Sequence, residues 1–251
     1  MIGMHLKRRM LWAVCVVMVA YSCAAPVNAE VVGAATCGPA VHTPPSTVDL
    51  ATRGDEIREA IRCLINAERA RVGLRPVVMQ PTLAAPAQAH ADRAGLLQWW
   101  GKSNSHIDPE LDRVGGALLD KNAAIEFRLR NPQRGGNYCA GDAGAIIGEI
   151  TRSGAGFEPE KKVCTEAECS TPLGAVNWWM NISKDGHRET ILTEAFREVG
   201  VGVIGKIAFD DPNLAKLAEQ GSYVVDFGVC PSRPVDASPS GAASGGKPVD
   251  P

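Results

Sequence analysis

The chain has 251 residues, with 26 basic and 28 acidic side chains and a hydrophobic share of 45%. That is enough for one domain with a full core and short for two. A net charge of −2 leaves no electrostatic footprint for nucleic acid or for an anionic lipid surface, so both are excluded as partners on charge.

In chain order, the first signals are Lys7, Arg8 and Arg9, an uncharged apolar run from Leu11 to Tyr21, and small residues ending at Val27-Asn28-Ala29. They predict a signal peptide over 1–29, cut after Ala29, and hence a secreted or extracytoplasmic protein. The run is about half the ~20 residues of a spanning helix, so no transmembrane segment is expected in the mature chain. Cys23, behind Ala20-Tyr21-Ser22, offers a second, lipid-anchored route. Removing 1–29 leaves 23 basic against 28 acidic residues, a net charge of −5.

Residues 30–53 lack periodicity and read as a leader. A folded unit spans 54–230, and a Pro-, Ser- and Gly-rich tail over 231–251 has almost nothing to bury and is expected to be disordered. Within the unit, Ile57, Ala60, Ile61, Leu64 and Ile65 recur at helical spacing behind Asp55 and Glu56, and the pattern stops at Gly73 and Pro76. Leu83, Ala87, His90, Ala94 and Leu97 predict a second helix starting near Thr82, with Pro86 tolerated in its first turn. His90 lies on that helix's apolar face and reads as a packed core histidine. From Gly101 to Gly148 the pattern is poor, apart from a helix around Ala123–Leu129.

Pro172–Met180 and His187–Glu194 predict two further helices, the first carrying Trp178 and Trp179. Strands are expected over Val199–Phe209 and Ser222–Cys230, with a helical turn or two over 213–219 between them. Some motifs mislead. Gly200-Val-Gly202-Val-Ile-Gly205 spells a dinucleotide fingerprint, but it lies inside a strand pattern with no helix after it. His187-Arg-Glu189 lacks the P-C-x-x-C partner of zinc deaminases. Asn181-Ile-Ser183 is a formal glycosylation acceptor.

The segments Cys63-Leu-Ile-Asn66-Ala-Glu-Arg69, Ala89-His90-Ala91, Ser105-His106-Ile-Asp108-Pro109, Gly148-Glu149-Ile150, Trp179-Met180, Gly186-His187-Arg188, Val199-Gly-Val-Gly202 and Tyr223-Val-Val-Asp226-Phe227-Gly228 occur in that order. Together they resemble the bacterial SCP-like branch of the CAP superfamily. The resemblance implies an α/β fold, an α-β-α sandwich with a small, mainly antiparallel sheet between helical layers. It also implies a cavity of two histidines and two acids, which falls by motif on His106, Glu149 and His187. The fourth position departs from the family pattern: Trp179-Met180-Asn181-Ile182 has no acid, and Asn181 is offered as a neutral oxygen ligand.

Two imidazoles and a carboxylate are also the ligand set of an open zinc site. One divalent cation, zinc, is therefore expected at His106, Glu149 and His187. The resemblance implies a monomeric, non-catalytic binding module for a small molecule, a lipid or an extracellular protein. The alternative is a metal-dependent or serine-type hydrolase using the same cavity, with Ser105 the nearest nucleophile in sequence.

Six cysteines remain after the signal region and allow fifteen pairings. The expected bridge is Cys63 to Cys230, joining the element that begins the unit to the one that ends it. Cys164 and Cys169 would close a short loop, leaving Cys37 for Cys139.

Overall fold

The computed structural model describes residues 34–142, 144–155 and 170–233. The signal peptide, Cys23, Cys164, Cys169 and all but the first three residues of the tail lie outside the described residues.

Three short 3₁₀ turns between Ala34 and Thr47 lead into helix α1, Leu50–Arg71. The Asp49 carboxylate accepts from the Ala51 N–H at 3.0 Å, so the helix starts at Leu50, ahead of the apolar periodicity that begins at Ile57. Its inner face of Ile57, Ala60, Ile61, Leu64 and Ile65 is sealed from solvent. Its outer face carries the i,i+3 pairs Arg53–Glu56, Asp55–Arg58 and Glu59–Arg62, each worth a few tenths of a kcal/mol at ~0.2–0.5.

Strand β1 (Val78–Met79) and helix α2 (Pro81–Leu97) follow. Pro86 is the sixth residue of α2 rather than part of its first turn. The helix continues through it because packing on the sheet compensates for the lost backbone bond. A small hairpin, β2 (Arg113–Val114) and β3 (Ala117–Leu118), precedes α3, Lys121–Arg130. Then come β4 (Ile146–Ala155), α4 (Pro172–Asn177), α5 (His187–Ile191), β5 (Glu198–Ile204) and β6 (Gln220–Val229).

The main sheet has the order β1-β5-β6-β4. Its β1–β5 pair is parallel, and its β5–β6 and β4–β6 pairs are antiparallel. Alternation sorts the two faces. Ile150, Val199, Val201, Val203, Tyr223, Val225 and Phe227 pack with α1, α4 and Ile191 of α5. On the other face Val224 meets the alanines of α2, and Leu83 of α2 joins Ile125 and Leu129 of α3. This is the expected sandwich.

The glycines of β5 explain the misleading motif. A Cβ on Gly200 would stand 2.1 Å from the Leu83 carbonyl carbon, and one on Gly202 would stand 2.3 Å from the Ala87 oxygen. Bare strand backbone lets α2 settle directly on the sheet.

The disulfides correct the expected pairing. Cys37 is bonded to Cys63, and Cys139 to Cys230. Cys63 sits on α1, while Cys230 packs with Leu83 and Leu129 on the opposite face, so the sheet itself lies between the two sulfurs. The bridges enclose 26 and 91 residues of sequence, worth about 3.5 and 4.6 kcal/mol in the chain-entropy picture.

Candidate functional site

A cleft of about 390 Å³ runs along edge strand β4 and is lined by both His106 and His187. They reach it from different sides. His106 comes from the loop after α2, and His187 is the first residue of α5.

The His106 loop is tied down at each step. His90, fully buried on α2, hydrogen-bonds through Nε2 to the Ser105 carbonyl at 2.8 Å, so Nε2 carries the proton. Burial, then the nearby Arg128 charge, push His90 down to about 3, and it is neutral at pH 7. This is the packed histidine that its place on the helix predicted. The Trp99 indole donates to the Asn104 carbonyl at 3.2 Å. The Asn104 side chain accepts from the His106 N–H at 2.9 Å.

The inner nitrogen of His106, Nδ1, lies 2.8 Å from Glu149 Oε1, and Arg128 of α3 binds Glu149 Oε2. Both carboxylate oxygens of Glu149 therefore have protein partners. Burial pushes Glu149 up, but the Arg128 charge, together with the hydrogen bond from His106, outweighs it and holds the group well below the ordinary range. Asp226, paired with Glu149 across β4 and β6, goes the other way. Burial, then the Glu149 charge, raise it well above the usual value. Neither of its oxygens has a hydrogen-bond partner, so the uncharged, protonated acid is the form this position tolerates.

His187 follows Gly186, whose φ of 78° opens the turn into α5. Its Nδ1 lies 2.6 Å from Ser183 Oγ, and its ring packs 5.3 Å from that of Trp178. Burial and then the nearby His106 push it down to about 4. With both inner nitrogens engaged, the outer Nε2 atoms are the ring nitrogens left for the cleft.

The structure thus brings His106 and His187 to one cleft and sets Glu149 directly behind His106. Asn181 is not part of the cleft: it is exposed, and its amide donates to Asn177 Oδ1 at 2.7 Å. Ser105 lines the cleft, but its hydroxyl pairs with Thr151 Oγ1 at 2.8 Å rather than with either histidine.

Sequence reading missed the roles of Arg128 and Asp226. Each left a signal. Arg128 sits at the inward spacing of Ala124, Ile125 and Leu129, and Asp226 falls among the inward positions of a predicted strand.

A divalent ion fits these donors only as a two-imidazole site. Among the described residues, the group of three His, Cys, Asp or Glu donors within 4.8 Å of one another is Cys139, Asp142 and Cys230. Its sulfurs are joined in a disulfide. No described helix is long and apolar enough to cross a membrane.

A search of curated proteins found no match. Among solved structures, the chain is similar to an extracellular protein containing an SCP domain from Bacillus anthracis, at 19% identity and a TM-score of 0.39, covering 69% of this chain and 42% of that one. It thus spans about two-fifths of that protein's length. It is also similar to an outer surface protein from Borrelia burgdorferi, at 17% identity and a TM-score of 0.40, covering 72% of this chain and 95% of that one. Residues 63–206 match the model of the cysteine-rich secretory protein family, designated CAP; that is more than half of the chain, and the protein belongs to this family.

Proposed function

We propose that this CAP domain is an exported binding module whose cleft takes a divalent ion, zinc first, on the outer nitrogens of His106 and His187. The single observation that carries the reading is the pair of imidazoles lining one cleft with both inner nitrogens already held, by Glu149 and by Ser183. A histidine whose second nitrogen donates to a carboxylate or hydroxyl has its ring fixed and its outer nitrogen basic, the usual arrangement behind a metal ligand. Ser183 Oγ accepts as readily as it donates, so His187 can adopt the same tautomer.

In this reading Glu149 supports His106 from behind, and the open coordination positions receive water or a ligand from solution. That ligand belongs to the partner classes named above: a small molecule, a lipid or an extracellular protein. Export is supported by two disulfides, bonds that persist in oxidising compartments. Zinc calorimetry at pH 7.5 on the wild type and on the double variant His106→Ala/His187→Ala tests the proposal. Binding confined to the wild type is the expected result. Equal or absent binding in both leaves a hydrogen-bonded polar cleft without an ion.

A further inference from the structure

We infer that Arg128 is the positioning residue of the cleft: one guanidinium grips both the His106 main chain and the carboxylate to which the His106 ring is bound. Arg128 reaches in from α3 and is wholly shut off from solvent. Its Nη1 donates to the His106 carbonyl at 3.3 Å and to Asp112 Oδ2 at 2.9 Å. Its Nη2 donates to Glu149 Oε2. His106 is therefore fixed at its backbone and at its ring by a single group from a third element.

The anchor is itself held. Asp112 Oδ2 also accepts from the Asp108 N–H at 2.7 Å, and Oδ1 accepts from Arg134 at 3.0 Å. Arg128 thus cannot swing away from the loop without breaking a buried ionic network.

The chemical consequence lies in the His106 tautomer. A guanidinium only donates, so Glu149 meets it as an acceptor, and the other oxygen of the same carboxylate faces His106 Nδ1 as an acceptor too. His106 must then place its proton on Nδ1, which leaves a lone pair on Nε2 toward the cleft. Without Arg128 neither the carboxylate's orientation nor the loop's main chain is set, and the ring is free to take the other tautomer. The inference deepens the proposed use of the cleft and rests on it only for the ion-binding arm of the test.

Long-range proton–nitrogen correlation spectra of the ¹⁵N-labelled, ion-free protein at pH 7.5 read the tautomer directly. Wild type is expected to show protonated Nδ1 and bare Nε2 at His106. Arg128→Gln should move the ring toward the Nε2–H form and weaken zinc by roughly 10- to 100-fold, the usual effect of losing an outer partner. Arg128→Lys, which can still donate to Glu149, should restore the Nδ1–H form. Arg130→Gln, on the same helix but bonded to the Asp142 carbonyl, should leave the tautomer unchanged.

A wild-type Nε2–H tautomer overturns the inference without any variant. So does a folded Arg128→Gln or Arg128→Lys whose His106 matches wild type in the first case or fails to recover in the second. A tautomer that shifts as expected in a protein that binds no zinc upholds Arg128 and removes the ion from the cleft.

Discussion

Acidification should destabilise this domain through His90. The group titrates at about 3 in the fold and near ~6.5 in an unfolded chain. Its folded value is depressed, so between those values the unfolded chain binds a proton that the native state refuses. Stability then falls as pH drops from about 6.5 toward 3, and the slope approaches about 1.4 kcal/mol per pH unit. For one site, moving from pH 7.5 to pH 4.5 removes about 3 kcal/mol, a large part of a typical domain's stability.

His90→Gln isolates the effect, because a glutamine amide can still donate to the Ser105 carbonyl and has no proton to gain. At pH 7.5 the variant should be the less stable one by about 1–3 kcal/mol, since it loses ring packing on Trp99 and Trp100. At pH 4.5 that deficit should vanish or reverse. Urea unfolding of both proteins at pH 7.5, 5.5 and 4.5 is the assay, and a gap that stays constant across the three would refute the reasoning.

Two further outcomes follow from the sheet. Gly202→Ala should lower stability by about 1–3 kcal/mol or more by forcing α2 off β5, read as a fall in the urea midpoint; a neutral result would mean that α2 does not sit on bare backbone. Asp226→Asn should match or exceed wild type, with an advantage that grows as pH rises above the ~4 at which an ordinary carboxyl titrates. The raised Asp226 makes the native state the better proton binder, so wild type loses stability as pH rises, whereas an amide has nothing to lose. A variant clearly less stable than wild type at pH 9 contradicts this.

The helices and the β5–β6 pair were legible because their apolar residues recur at the spacing that burial demands. Strand β4 was not. It carries Glu149, Thr151 and Ser153 where a half-buried strand would show apolar residues, because that side serves the polar cluster and the cleft. The disulfides were misread because proximity to the ends of a folded unit says nothing about which face of the sheet a cysteine occupies. Glu149 was found by its motif, but the reason it can be buried was not visible: Arg128 and Asp226 come from elements far away in sequence. Pro86 was placed in the first turn of a helix starting near Thr82, but the helix begins one residue earlier, at Pro81, and Pro86 falls in its second turn.

The central claim is that His106 and His187, from opposite sides of β4, serve one ligand site. Anomalous diffraction at the zinc edge from zinc-soaked crystals tests it most directly. The account predicts one strong peak between the two Nε2 atoms, with Glu149 remaining on His106 Nδ1. A peak elsewhere, or none at the histidines at a soak concentration that saturates the calorimetric binding, contradicts it.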